Sequence, residues 1–108
     1  MATYTVSLLA DGQLAGAKAA IYTVPAATRV IVSTITLVNE NAANRTVNLY
    51  ILPSGGASRR ILPVDMPLEA ESMWIHSDEF TLGPGDAIEG DASVAADVDY
   101  TISGVEET

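Results

Sequence analysis

The sequence predicts an all-β fold, a single antiparallel β-sandwich of jelly-roll or other Greek-key type. Segments that alternate apolar and polar residues, such as 46–51 and 97–103, have the period-two pattern of strands with one wet face. Short loops rich in Gly, Pro, Asn and Asp separate these segments. A chain of 108 residues has room for one such domain, so we expect residues 1–108 to form it.

The alternation and the turn signals together predict about eight short strands, with an extended connection over residues 63–69. Glycine supplies positive φ, proline presets φ, and Asn and Asp side chains bond their own backbone, so clusters of these residues mark turns. The turn signals lie at 11–12, 41–44, 53–56 and 83–86. The predicted strands are 3–9, 15–23, 29–39, 45–52, 58–63, 71–77, 87–92 and 97–104.

The segment 29–39, RVIVSTITLVN, carries apolar residues at both odd and even positions. Strict alternation places Val30 and Val32 on one face and Ile31, Ile35 and Leu37 on the other. We therefore expect this strand to be covered on both sides. The second cover would be a loop, a helix or a neighbouring subunit, and a central strand covered by its own loops fits the pattern equally well.

Charge is unevenly distributed along the chain. There are 14 Asp and Glu against 5 Lys and Arg, a formal charge of -9, which argues against nucleic acid or an anionic membrane as the main partner. Every basic residue lies in the first 60 positions, and most of the acidic ones lie after them. The halves could be two separate modules of opposite charge or could interleave in one fold. Because the second half is near the size below which a domain seldom stands alone, we predict that basic and acidic strands interleave in one fold.

The residues needed for most catalytic chemistry are missing. The chain has no cysteine and a single histidine, His76, so thiolate catalysis, disulfides and multi-histidine metal sites are excluded within one chain. His76 could act as a base beside Ser77 or Asp78, but neighbours in a strand point to opposite faces, and a surface or strand-end histidine is the favoured interpretation. We predict no enzyme and no cofactor.

The acidic second half offers a weak alternative for metal binding or hydrolysis. Its carboxylates could gather around Ca²⁺, although their spacing does not match a calcium loop. Any two of them could also serve as an acid pair for glycoside hydrolysis, which makes that signal uninformative. The acids concerned are Asp86, Glu89, Asp91, Asp97 and Asp99. We predict no catalytic and no metal site.

Targeting signals are not evident. The N-terminus has no basic segment followed by an apolar stretch, and the most apolar region, 14–27, is far shorter than the ~20 residues of a membrane helix. We therefore expect a protein made in a cytoplasm, without a membrane partner.

A series of segments resembles small β-sandwich virion proteins of tailed bacteriophages. It consists of YTVPA at 22–26, a V/I/T-rich strand ending in Asn39, a strand followed by SGG at 54–56, GD-x-I at 85–88 and SGVE at 103–106. The similarity covers about residues 20–106. Each segment is ordinary β and turn chemistry, and their order carries the resemblance.

The resemblance implies a non-enzymatic capsid decoration or cement protein, which binds and stabilises the outer shell of a virion, commonly as a homotrimer. It would be made in the host cytoplasm, with the major capsid protein or other virion proteins as partners. The alternatives are a neck, head-fibre or tail component, a carbohydrate-binding β-sandwich module with or without calcium, and a small hydrolase with paired acids.

The interface hypothesis places apolar residues at the core and subunit seam and basic residues at polar contacts. Trp74 is either a core anchor or an interface hot spot, and the core is favoured. The doublet Arg59-Arg60 is expected to pair with acidic strands or with a partner. The proposed seam is Val30, Ile31, Val32, Ile35 and Leu37, and the proposed polar contacts are Arg29, Arg45, Arg59 and Arg60.

Overall fold

The computed structural model describes residues 2–77 and 79–108, which form ten strands in two antiparallel sheets. Within this part of the chain there is no helix that could span a membrane. The strands are β1 (Tyr4–Gln13), β2 (Ala19–Thr23), β3 (Arg29–Asn39), β4 (Arg45–Leu52), β5 (Arg59–Arg60), β6 (Met66–Leu68), β7 (Met73–His76), β8 (Phe80–Leu82), β9 (Ala87–Ala92) and β10 (Val98–Glu107).

The two sheets have the strand order of a jelly roll, which confirms the predicted fold class. The first sheet runs β1-β10-β3, and β7 and β8 lie one after the other along the free side of β3. The second sheet runs β2-β9-β4, and β5 and β6 share the free side of β4 in the same way. The ten strands therefore fill about eight positions, as the sequence predicts.

Both halves of the chain contribute to both sheets. The acidic strand β10 lies between β1 and β3, and β9 lies between β2 and β4. The predicted interleaving of acidic and basic strands is thus present, and it lets Arg45 form an ion pair with Asp97, with 2.9 Å between Nε and Oδ2.

Strand bounds differ from the prediction where long-range pairing overrides local chemistry. β3, β4 and β9 have the predicted bounds. The Asp11-Gly12 signal is not a turn, because β1 continues past it and pairs Asp11 with Thr101. β6 lies inside the predicted connection 63–69, and neither it nor β8 is long enough to show alternation in the sequence.

A β-bulge in β3 overturns the prediction that this strand is apolar on two faces. Ser103 pairs with Thr34 and Gly104 pairs with Val32, so Ser33 is an extra residue on β3. The extra residue inverts the alternation. The apolar residues before it, Val30 and Val32, and those after it, Ile35 and Leu37, are all buried between the sheets. The apolar residues of β3 that remain on the outer face are Ile31, before the bulge, and Val38, after it.

Gly104 occupies the position opposite the bulge because no side chain fits there. A Cβ at this residue would lie 2.0 Å from the carbonyl oxygen of Ile31. The glycine of the SGVE segment therefore permits the close approach of β10 and β3 at the bulge.

The remaining segments of the resemblance also have structural roles. Asn39, at the end of β3, is buried, and its Nδ2 donates to the carbonyl oxygens of Ala43, Leu68 and Glu69 at 2.9–3.1 Å. The YTVPA and GD-x-I segments bond to each other, since Val24 N–H donates to the Asp86 carbonyl at 2.9 Å. These hydrogen bonds hold loop segments against the strands of the sandwich.

Candidate docking surface

The outer face of the first sheet carries an exposed group of apolar side chains, here called the apolar face. Strand alternation turns these side chains away from the core. Val6 is 85% exposed and Ile31 is 38% exposed. Register places Val6, Val105 and Ile31 in one row across three strands, and Thr36 and Ile75 in another. The apolar face consists of Val6, Leu8, Ile31, Val38, Met73, Ile75 and Val105.

The polar residues of this surface are mostly hydroxyls. Arg29 and Glu107 lie at one end of the surface. Towards the other end, Asp11 shares the row of Ile75, and Asp99 shares the row of Val38. The residues that separate the apolar side chains are Thr34, Thr36, Thr81, Thr101 and Ser103. The centre of the surface is therefore uncharged, although the molecule as a whole has a formal charge of -9.

A groove of about 430 Å³ opens at the Arg29 end of the apolar face. Its walls are largely the apolar side chains of Ile31, Leu82 and Val105, and its rim includes Tyr4 and Glu107. Such a groove can accept an apolar side chain from a partner.

The ion pair at the rim of the groove neutralises its one acid. Arg29 Nε donates to Glu107 Oε1 at 2.6 Å. The Tyr4 hydroxyl and Arg29 hold the pKa of the Glu107 carboxyl below its ordinary value, and the same hydrogen bond raises the pKa of Tyr4. This end of the surface thus carries paired charges.

The structure places the predicted seam residues in two different environments. Val30, Val32, Ile35 and Leu37 are fully buried in the core of their own chain. Ile31 alone of the five points outward and is accessible to a partner. The accessible apolar neighbours of Ile31 come from β1, β7 and β10, which the sequence did not single out because their side of the sheet depends on register.

The predicted polar contacts are mostly engaged within the chain. Arg29 pairs with Glu107, and Arg45 pairs with Asp97. Arg60 Nη1 donates to Asn48 Oδ1 at 2.8 Å, and its guanidinium lies over the Tyr50 ring. Arg59 is exposed at the edge of the second sheet. Arg29 and Arg45 thus pair with acids of the second half, whereas Arg60 bonds Asn48 and Tyr50 and not an acid. The partner-facing role of the doublet stays a prediction.

Trp74 and His76 share one side of β7, as the alternation predicts. That side faces inward, so His76 is a half-buried residue at the end of the strand and not a surface histidine. Their rings stack with centroids 5.7 Å apart, and Phe80 lies 5.6 Å from His76. Trp74 is half-buried and packs against the core. Asp78, one of the two partners considered for His76, lies outside the described residues.

The outer face of the second sheet carries a hydrogen-bonded polar network that sequence reasoning missed. Buried Asn48 donates to Asp65 at 3.0 Å and to Asp91 at 2.8 Å, and its Oδ1 accepts from Arg60 and from the Asp65 N–H. Lys18 Nζ lies 4.7 Å and the Arg60 guanidinium 4.9 Å from the centre of the Tyr50 ring. The pattern of the segment 46–51 indicated only that Asn48 points outward.

The acidic side chains of the described residues do not converge on a metal site. Over residues 2–77 and 79–108, no group of three or more His, Asp and Glu side chains is placed to hold a metal ion. Asp86 accepts from the N–H groups of Ser54 and Gly83, which lower its pKa. Glu40 lies beside Asp99, which raises the Glu40 pKa through a hydrogen bond and through charge repulsion.

Comparison with known proteins gives a fold and no family. No protein-family model matches the chain, and no curated protein matches it.

Several solved structures share the architecture, and three of them are compared with the chain below. A chain from the acid-stable capsid of Helicobacter pylori bacteriophage KHP30 is 10% identical, with a TM-score of 0.54, covering all of this chain and 94% of that one. A chain from infectious bursal disease virus, strain Gx, is 11% identical, with a TM-score of 0.53, over 99% of this chain and 32% of that one. A chain from the disulfide-linked pili of Bacillus endospore appendages is 14% identical, with a TM-score of 0.54, over all of this chain and 87% of that one.

The chain spans about a third of the length of the infectious bursal disease virus chain and nearly all of the KHP30 chain. At these identities the likeness establishes the architecture alone. The chain therefore has an all-β sandwich fold like that found in viral capsids.

Proposed function

We propose that this chain is a non-enzymatic structural protein of a virus particle, of the capsid decoration or cement type, which binds the outer shell in several copies. The observation that carries the proposal is the apolar face, whose centre is uncharged and which no described part of the chain covers. Contiguous exposed apolar patches on a folded chain mark interaction sites.

Two similarities support a role in virions. The order of the five sequence segments resembles small virion proteins of tailed phages, and two of the solved structures of similar fold come from virus particles. The resemblance favours groups of three copies on the shell, with the major capsid protein or another virion protein as the partner.

The surface supplies the chemistry of adhesion. Burial of its apolar side chains against a shell contributes about 25 cal/mol per Å², less the cost of association and ordering. Threonine hydroxyls between the apolar side chains can bond polar groups of the partner. Because many copies bind one symmetric shell, avidity strengthens a contact that is modest for each copy.

The opposite face suits solvent. The network around Asn48, Asp91 and Arg60 satisfies its own polar groups, and it lies on the far side of the sandwich from the apolar face. A chain that docks through the first sheet therefore presents a charged, hydrated surface outward.

The test is binding to stripped shells. We expect the double variant Met73→Ser, Ile75→Ser to lose most shell binding, because both side chains are exposed on the apolar face and contribute little to folding. The matched control is Val64→Ser, Val94→Ser, which removes two exposed apolar side chains from other parts of the surface.

For the cement role, shells decorated with wild-type protein should rupture at a higher temperature than stripped shells. Equal rupture temperatures, or equal loss of binding in the control variant, would contradict the proposal.

A fibre or tail component is the second candidate. The similarity to a subunit of Bacillus endospore appendages favours it, although this chain has no cysteine for disulfide linkage. Cryo-electron microscopy of particles carrying a tagged chain separates the two candidates: density over the shell supports decoration, and density confined to the neck or tail supports the alternative.

A further inference from the structure

β1 is the terminal strand of the first sheet. It pairs with β10 on one side. On its other side, no strand of the described part of the chain pairs with it. The segment Tyr4 to Leu8 is therefore an open sheet edge.

The hydrogen bonds of β1 show which residues face that edge. Thr3 and Thr108 exchange both backbone bonds, at 2.8 and 2.9 Å. In an antiparallel ladder, residues that exchange bonds alternate with residues whose N–H and C=O point the other way. Counting along the register from Thr3, the N–H and C=O of Tyr4, Val6 and Leu8 point away from β10. The same three residues carry exposed apolar side chains.

From Tyr4 to Leu8, this edge lacks the features that keep strands from pairing. Natural edge strands are protected by lysine, proline, inward-pointing charge or bulges. From Thr3 to Ala10 the sequence contains no charged residue and no proline. The only irregularity is a register shift between Leu8 and Ala10, which ends the flat stretch after Leu8.

We infer that a second copy of this chain pairs with β1, antiparallel, about a two-fold axis at Val6. Val6 then faces Val6 of the second copy, and Tyr4 faces Leu8. The three outward-pointing residues of each copy exchange about six backbone hydrogen bonds in total. Their side chains pack in cross-strand pairs on the outer face.

The uncharged sequence of this edge favours an identical copy as its occupant. Two molecules with a formal charge of -9 repel each other, so they must meet where neither carries an unpaired charge. The edge from Tyr4 to Leu8 itself carries no charged side chain. Of the two acids opposite it on β10, Glu107 is paired with Arg29, and Glu106 accepts a hydrogen bond from the Ser7 hydroxyl. A basic partner would be recognised by acids, and Asp11, the first acid of β1, lies about 10 Å beyond Leu8.

The pairing joins two first sheets into one continuous sheet. A two-fold axis perpendicular to the sheet puts both apolar faces on the same side, so a pair of copies presents a doubled apolar surface. The pairing does not depend on the proposed virion role. It gives two copies per unit, whereas the resemblance to phage proteins favours three.

Charge variants at Val6 test this geometry. Since Val6 is 85% exposed, Val6→Lys and Val6→Glu leave the fold intact. Across the two-fold axis, each variant places like charges opposite each other, and we expect self-association to weaken at least about tenfold at low ionic strength. An equimolar mixture of the two variants should pair again, because lysine then faces glutamate. Val94→Lys, which charges an exposed apolar residue elsewhere, is the control.

Sedimentation equilibrium gives the outcome. The expected result is a two-copy mass for wild type and Val94→Lys, a one-copy mass for each Val6 variant alone, and a two-copy mass for their mixture. A one-copy or three-copy mass for wild type would overturn the inference, as would a two-copy mass for Val6→Lys alone or a mixture that stays at one copy. Shell binding is scored separately, so either proposal can fail without the other.

Discussion

The outer faces of the two sheets differ in how many of their side chains find partners within the same chain. On the second sheet, Asn48 bonds Asp65, Asp91 and Arg60, so its polar groups are paired within the monomer. On the first sheet, apolar side chains such as Val6 and Ile75 remain exposed. The comparison teaches that the second face stabilises the fold, whereas the first face is available to a partner.

The largest effect on stability is expected at Gly104. This glycine permits the bulge in β3, and the bulge determines which residues of β3 lie on the outer face of the first sheet. Gly104→Ala puts a methyl group against the Ile31 carbonyl, so β3 or β10 must shift at the bulge. We expect the free energy of unfolding to fall by about 2–3 kcal/mol. Gly16→Ala, whose new Cβ would meet only ordinary contacts with Ala95, is the control. Urea denaturation measures both, and equal stability of the two variants would argue against the bulge as a constraint.

The next prediction compares the two outer faces directly. Asn48→Ala removes the centre of the polar network, leaving Asp65, Asp91 and Arg60 without that partner, and should lower the free energy of unfolding by about 2 kcal/mol. Thr36→Ala on the first face should change it by less than about 0.5 kcal/mol. Thermal denaturation of both variants is the measurement. If Thr36→Ala lowered the free energy of unfolding as much as Asn48→Ala, the two outer faces would not differ in their contribution to stability.

A smaller effect is expected from pH. The Ser54 and Gly83 N–H groups depress the Asp86 pKa below its ordinary value of 3.8, so the ionised carboxylate stabilises the fold above that pH. The contribution is lost as pH falls through the folded-state pKa, where the native carboxylate must take up a proton. Stability measured from pH 6 to pH 2 should therefore fall less steeply in Asp86→Asn. An unchanged slope would show that Asp86 does not contribute to acid sensitivity.

Glu40 is expected to affect the pH dependence of stability in the direction opposite to Asp86. Its pKa is raised above 4.5 by Asp99, so the native state holds the proton more tightly than the unfolded chain does. Stability then decreases as pH rises through the window above 4.5. Glu40→Gln should flatten the profile in that window. If the stability of Glu40→Gln followed that of wild type above pH 4.5, Glu40 would not contribute to the pH dependence of stability.

The smallest effect on stability is expected for Val6→Ser on the first face. With 85% of its surface exposed, Val6 loses little on truncation, and the free energy of unfolding should change by less than about 0.5 kcal/mol. Chemical denaturation at a protein concentration too low for self-association is the measurement. A loss above 1 kcal/mol would mean that this residue supports the fold of the monomer and that the first face is not purely a surface for partners.

Much of the architecture follows from the sequence alone. Alternation and turn chemistry are local properties, so they correctly predicted the bounds of β3, β4 and β9 and the Gly83-Pro84-Gly85-Asp86 turn. The fold class and the interleaving of acidic with basic strands also followed, because a short acidic half cannot form its own core.

Other features were decided only by tertiary structure. The extra residue Ser33 depends on how β3 pairs with β10, and period-two counting cannot detect it. β8 has three residues and exists because it pairs with β3. The network around Asn48 unites residues distant in sequence. The apolar face likewise combines four strands. The sequence determines which residues alternate along a strand, because alternation is a local property. The register between distant strands determines which side chains come into contact, and in this chain it decided which apolar residues are buried in the core and which are exposed to a partner.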